Sequence, residues 1–180
     1  MIRLWNRIKL SNKIVLTGMS FIFLFAFITM VYFIPSIRTE SMEKKKRELK
    51  DIVDISISLM DALKFESENG RMADYEAENR AVYYTGKFRY SADHSDTVWL
   101  ISSDGVICSM PYREDLVGKN VSSITDERMR NVYNEMLEIC NKNSEGYKEY
   151  SAQYKSEVTR IVPVISYVRY YEPFKLIVGS

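Results

Sequence analysis

The 180 residues predict an α+β protein: an N-terminal transmembrane helix, a long second helix, and a domain with a five-stranded antiparallel sheet. Three observations carry this. An uninterrupted apolar run spans Ile14 to Pro35 without a charge. Apolar residues then recur at three- and four-residue spacings as far as Leu63. Beyond about residue 96 the period changes to short β-type runs divided by turn residues.

The first element is set by length and charge. The residues from Ile14 to Ile34 rise roughly 30 Å as a helix, the thickness of a bilayer's hydrocarbon core. A cleaved signal peptide has a shorter apolar core and a small-residue cleavage site, whereas this run ends in Tyr32, Phe33, Ile34 and Pro35. A buried helix of a soluble protein would need a far larger protein around it. Arg3, Arg7, Lys9 and Lys13 precede the run with no acidic residue among them. Residues 38 to 51 mix Lys44, Lys45, Lys46 and Arg47 with Glu40, Glu43, Glu48 and Asp51. The positive-inside bias therefore puts residues 1 to 13 in the cytoplasm, 14 to 34 across a cell inner membrane, and 36 to 180 outside, in the periplasm or extracellular space.

Residues 36 to 180 have the size of one domain. All 24 acidic residues fall there, so the exported part is mildly acidic although the whole chain is +1. Without a basic stripe interleaved with aromatics, nucleic acid is excluded as a partner. Cys108 and Cys140 are too few for a disulfide scaffold; one bridge between them is permitted in an oxidising compartment, but small buried hydrophobes are the preferred reading.

A helix is expected from Ile37 to Asn69, with Leu49, Ile52, Val53, Ser56, Leu59, Met60 and Leu63 on one stripe and Gly70 as its stop. Ile55 and Ile57 widen the stripe, which suits a helix packed on its own domain and on a partner subunit in a homodimer. A second helix is expected from Ala73 to Thr85, with Ala77, Ala81, Val82 and Tyr84 on one side. Asp96 to Ser102, the turn Ser103-Asp104-Gly105 and Val106 to Met110 read as a hairpin, ended by Pro111. Asp126 caps a helix to about Asn143 whose inner face holds Met129, Val132, Tyr133, Met136, Ile139 and Cys140. Three more strands follow, Gly146 to Gln153, Arg160 to Tyr170 and Lys175 to Gly179, with turns at Lys155-Ser156-Glu157 and Glu172-Pro173. Helices would cover one face of such a sheet and leave the other to be lined or capped.

The order of these elements, with several short strings, resembles the single Cache domain, type 2, a PAS-like extracytoplasmic sensor module of bacterial and archaeal receptors. The strings are Phe88-Arg89-Tyr90, Trp99-Leu100-Ile101 before Asp104-Gly105, Pro111, and Leu116-Val117-Gly118-Lys119-Asn120. Gly146-Tyr147 with Tyr150 follows, then Ser166 to Tyr170 and Pro173 to Gly179. The resemblance covers about residues 38 to 180 and implies small-molecule sensing by a transmembrane signal-transduction receptor, such as a methyl-accepting chemotaxis protein. It also implies a second membrane helix and a cytoplasmic output after the sensor; the chain ends at Gly179-Ser180, as a receptor fragment or a truncated product would, and which output is meant stays open.

The resemblance further implies a small organic ligand, a short carboxylate above all, between the sheet and the segment inserted after its first hairpin. Arg89 matches the family's Arg-Tyr string and is the expected anion donor; its alternative reading is a solvated helix end. Tyr90, Trp99, Met110, Tyr147, Tyr150 and Tyr167 are the other candidates, and each could equally be core of an aromatic-rich sheet. Three departures weaken a carboxylate site: Met110-Pro111 stands for a family His-Pro, Thr97 for an aromatic, and Val164 for a lysine. The alternative is therefore a membrane-anchored structural or protein-binding module with a degenerate pocket. No cofactor and no enzyme activity are expected. The single His94 lies in a loop with Asp93 and Asp96 at no compact metal-ligand spacing, and the glycines form no phosphate loop.

Overall fold

The computed structural model describes residues 9–154 and 157–180. Arg3, Arg7 and the expected turn at Lys155 and Ser156 lie outside them. The chain divides into two compact units, Met1–Lys45 and Lys46–Ser180.

In the first unit, α1 runs Leu10–Ile28 and passes into a π-helical turn at Thr29–Phe33. The missing N–H of Pro35 leaves the carbonyl of Val31 without its α-helical donor, and the backbone widens there. Leu10–Phe33 is the one candidate spanning segment among the described residues, and its apolar side chains are exposed. The next helix, α2, is Ile34–Glu68.

The second unit is a sheet covered on both faces. After α3 (Asp74–Gly86), the strands are β1 (Arg89–Tyr90), β2 (Asp96–Thr97), β3 (Trp99–Ser102) and β4 (Ile107–Ser109). Short 3-10 turns at Glu114–Leu116 and Val121–Ser123 lead to α4 (Glu127–Asn143), then β5 (Glu145–Tyr154), β6 (Glu157–Tyr171) and β7 (Leu176–Gly179). The five-stranded antiparallel sheet has the order β4-β3-β7-β6-β5. The last strand thus lies in the middle, which explains why all four of its residues are buried. Pro163 sits in the half of β6 that pairs only with β5, so no neighbour needs its missing N–H.

Alternation sorts the core into two layers. Leu100, Tyr167, Leu176 and Val178 meet Leu49, Val53, Ile57 and Met60 of α2 and Ala77 and Ala81 of α3. Trp99, Ile101, Val168 and Ile177 meet Val132, Tyr133, Met136 and Cys140 of α4. Full burial of a side chain such as Leu100 contributes roughly 1.5–3 kcal/mol. Neither face is free: α4 caps the one that periodicity left open. Asp126 caps α4, its Oδ1 accepting from the N–H groups of Arg128 and Met129 at 3.0 and 3.3 Å.

Three details differ from expectation. The strand expected from Asp96 to Ser102 breaks at the buried Val98, and its first two residues pair with β1 in a separate ribbon. Val106 leaves β4 to bridge Asn120, while Gly105 turns the chain at φ +81°. Tyr84 of α3 is exposed and Thr85 takes the buried position, because the neighbouring Ala77 and Ala81 aim that face one residue further round. Cys108 and Cys140 are free thiols, and burial pushes that of Cys140 up to about 12.

Candidate functional site

A cavity of about 330 Å³ lies on the α4 face of the sheet, within the size range of small-molecule sites. The sheet supplies Trp99, Tyr150 and Ile161, the segment after β4 supplies Met110 to Arg113, and the first turns of α4 supply Asp126, Arg128, Met129 and Tyr133.

Its floor is aromatic and apolar. Trp99 and Tyr133 meet edge-to-face with centroids 6.3 Å apart. The Tyr133 hydroxyl donates to Met110 Sδ at 3.1 Å, and the Tyr150 hydroxyl shares a 3.1 Å hydrogen bond with Ser166 Oγ. Burial pushes both phenols above their ordinary value, so they remain neutral at neutral pH.

Its rim is charged. Arg113 donates to both carboxylate oxygens of Asp115 at 2.8 and 2.9 Å, and this pairing holds the Asp115 carboxyl below its ordinary value. Arg128 Nη2 lies 3.9 Å from Asp126 Oδ2 and is half exposed. Asp115 and Asp126 are themselves largely in water, so both guanidinium groups can exchange these partners for a bound anion at little cost.

Of the seven candidate residues, Trp99, Met110 and Tyr150 line this cavity together. The other four do not. Arg89 is exposed and turns back on the end of α3, donating to the carbonyls of Gly86 and Phe88 at 3.1 and 2.8 Å. It lines a second cleft beside Met110, outside the cavity. Tyr90 bonds Ser180 and packs toward the α2 layer. Tyr147 and Tyr167 are register partners whose rings meet in a tilted contact, centroids 4.8 Å apart, on the opposite sheet face, where Tyr147 donates to the Lys46 carbonyl and Tyr167 accepts from Lys50. Tyr150, three residues from Tyr147, faces the other way.

Arg113, Arg128, Tyr112 and Tyr133 are among the cavity residues that sequence reading did not propose for a site. Tyr133 was legible as buried on α4, and Arg128 as two residues after a capping Asp; nothing local aimed either at the sheet. Two departures from the family pattern, Thr97 and Met110, fall in the cavity wall itself. Among the described residues no group of three or more His, Cys, Asp or Glu is arranged to hold a metal ion.

The family model for the Cache domain, dCache_2, matches residues 28–180. Three solved structures share the fold. A Cache chemosensory domain described for carboxylic acid recognition aligns at a TM-score of 0.69 and 22% identity over 78% of this chain and 94% of its own. The periplasmic sensor domain of a chemotaxis protein gives 0.70 and 20% over 77% and 94%. A methyl-accepting chemotaxis protein from Vibrio parahaemolyticus RIMD 2210633 gives 0.64 and 18% over 80% and 91%. At these identities the likeness is one of fold. Fold and anchor together define the extracytoplasmic sensor module of a membrane receptor. The chain belongs to the Cache family.

Proposed function

We propose that this sensor module takes a small carboxylate into the cavity under α4. The supporting observation is that Arg113 and Arg128 flank a hollow whose floor is Trp99, Met110 and Tyr133. An anion there exchanges partly solvated carboxylate partners for itself, and its apolar part covers Met129 against the aromatic floor. The donors at the start of α4 are already taken by Asp126, so the guanidinium groups rather than the helix end supply the charge. A thermal-shift screen of the full chain in detergent micelles against short carboxylates, amino acids, amines and purines tests this. Carboxylates should stabilise the protein, and Arg128→Ala should diminish the effect while Arg89→Ala retains it. Loss through Arg89→Ala alone would move the site to the second cleft.

Asp115 and Asp126 already pair with both arginines, which favours a second reading: a protein-binding module whose pocket has lost its anion. Silence across all four ligand classes would support it.

The domain boundaries follow the charge argument, with 1–13 cytoplasmic, 14–34 spanning and 36–180 outside. A homodimer would use the exposed stripe Ile55, Ser58, Ala62 and Phe65 of α2, which has heptad spacing. Crosslinking through a cysteine at Ala62 tests it, with monomer only as the contrary result.

A further inference from the structure

Met110 and Pro111 line two hollows at once. One is the cavity under α4; the other is a cleft of about 480 Å³ on the α3 side of β4. Among the described residues no other is common to the two linings. The cleft offers apolar surface from Val82, Cys108 and Val117 next to that shared wall. Pro111 is rigid, whereas Met110 is an unbranched, flexible side chain, 7% exposed, whose sulfur is held by the Tyr133 hydroxyl.

We propose that Met110 sets the length of ligand the cavity accepts. Its thioether closes the cavity toward α3, so a molecule with its head between Arg113 and Arg128 is confined to a short chain. Shortening Met110 joins the hollows and lets an alkyl chain run on past β4 toward Val82 and Val117. This rests on the carboxylate reading of the cavity.

The test measures dissociation constants of straight-chain monocarboxylates from acetate to octanoate on the full chain in detergent micelles, for wild type, Met110→Ala and Met110→Val. In the wild type, affinity should rise with chain length and collapse beyond a limit. Both variants should move that limit outward by about two methylenes relative to acetate in the same protein, each accommodated methylene being worth about tenfold or more. An unchanged limit, or equal loss for every length, overturns the proposal. Met110→Val keeps a branched wall residue and serves if the alanine variant fails to fold. Absence of binding in all three proteins defeats the carboxylate reading instead. Crystals of either variant under xenon then decide: gas running continuously between the hollows sustains the divider, and separate or collapsed hollows overturn it.

Discussion

The ammonium of Lys50 in α2 donates to the phenol oxygen of Tyr167 in β6 over 2.7 Å, and also to Glu145 Oε1 at 3.0 Å. Desolvation by burial is the main reason the Tyr167 phenol rises to about 12, so it stays protonated and can in turn donate to Glu145. Beside it Arg169 bonds Asp54 of α2 at 2.7 Å. Helix α2 and strands β5 and β6 are thus joined by polar contacts as well as by the apolar layer. Tyr167→Phe should cost about 1 kcal/mol, and a cycle with Lys50→Met should show a coupling of about 0.5–1 kcal/mol, kept small because Lys50 is partly in water. Urea unfolding of the four proteins measures this; strict additivity would mean that the contact is energetically idle.

Glu145 makes this junction acid-sensitive. Hydrogen bonds from Tyr167 and Lys50 hold its carboxyl below the ordinary value. Its folded value is therefore lower than its unfolded one, and on acidification the unfolded chain takes up the proton first. The stabilisation is complete above the unfolded value of about 4.3 and is lost as pH falls through the folded one. Glu145→Gln should flatten the fall in urea midpoint between about pH 5 and about pH 3. Parallel curves would contradict it.

Gly179 of β7 lies directly under the Trp99 ring, where an added Cβ would stand 2.1 Å from Cζ2. The indole cannot move without disturbing the cavity floor. Gly179→Ala should destabilise by about 1–3 kcal/mol and alter the near-ultraviolet circular dichroism of Trp99. A wild-type melting temperature and spectrum would show that the ring yields freely.

Arg89 and Arg128 should separate in function. Arg89→Ala removes an exposed side chain lying on the last carbonyls of α3 and should change stability by no more than about 0.5 kcal/mol, with carboxylate binding intact. Arg128→Ala should cost binding about 1–2 kcal/mol, since the guanidinium is half in water. Isothermal titration of both variants gives the comparison, and equal losses would refute the assignment.

Much of the fold was legible because it is local. The apolar run, the stripe from Leu49 to Leu63, the capping Asp126 and the Asp104-Gly105 turn are decided by periodicity, capping and backbone freedom over a few residues. The short strings before and within the strands were enough to indicate the Cache family, now borne out by the match over residues 28–180. The site was not local. Whether a tyrosine faces a ligand depends on strand parity and on which helix covers which sheet face. Tyr147 and Tyr150 have the same chemistry, yet the first lies against α2 and the second in the cavity. Arg89 was singled out by its string, and in the fold its guanidinium bonds the carbonyls of Gly86 and Phe88. Arg128 had no string at all; only the docking of α4 on the sheet brings it to the hollow. Composition and spacing determined the elements, and long-range pairing, with β7 inserted between β3 and β6, decided which side chains share a space.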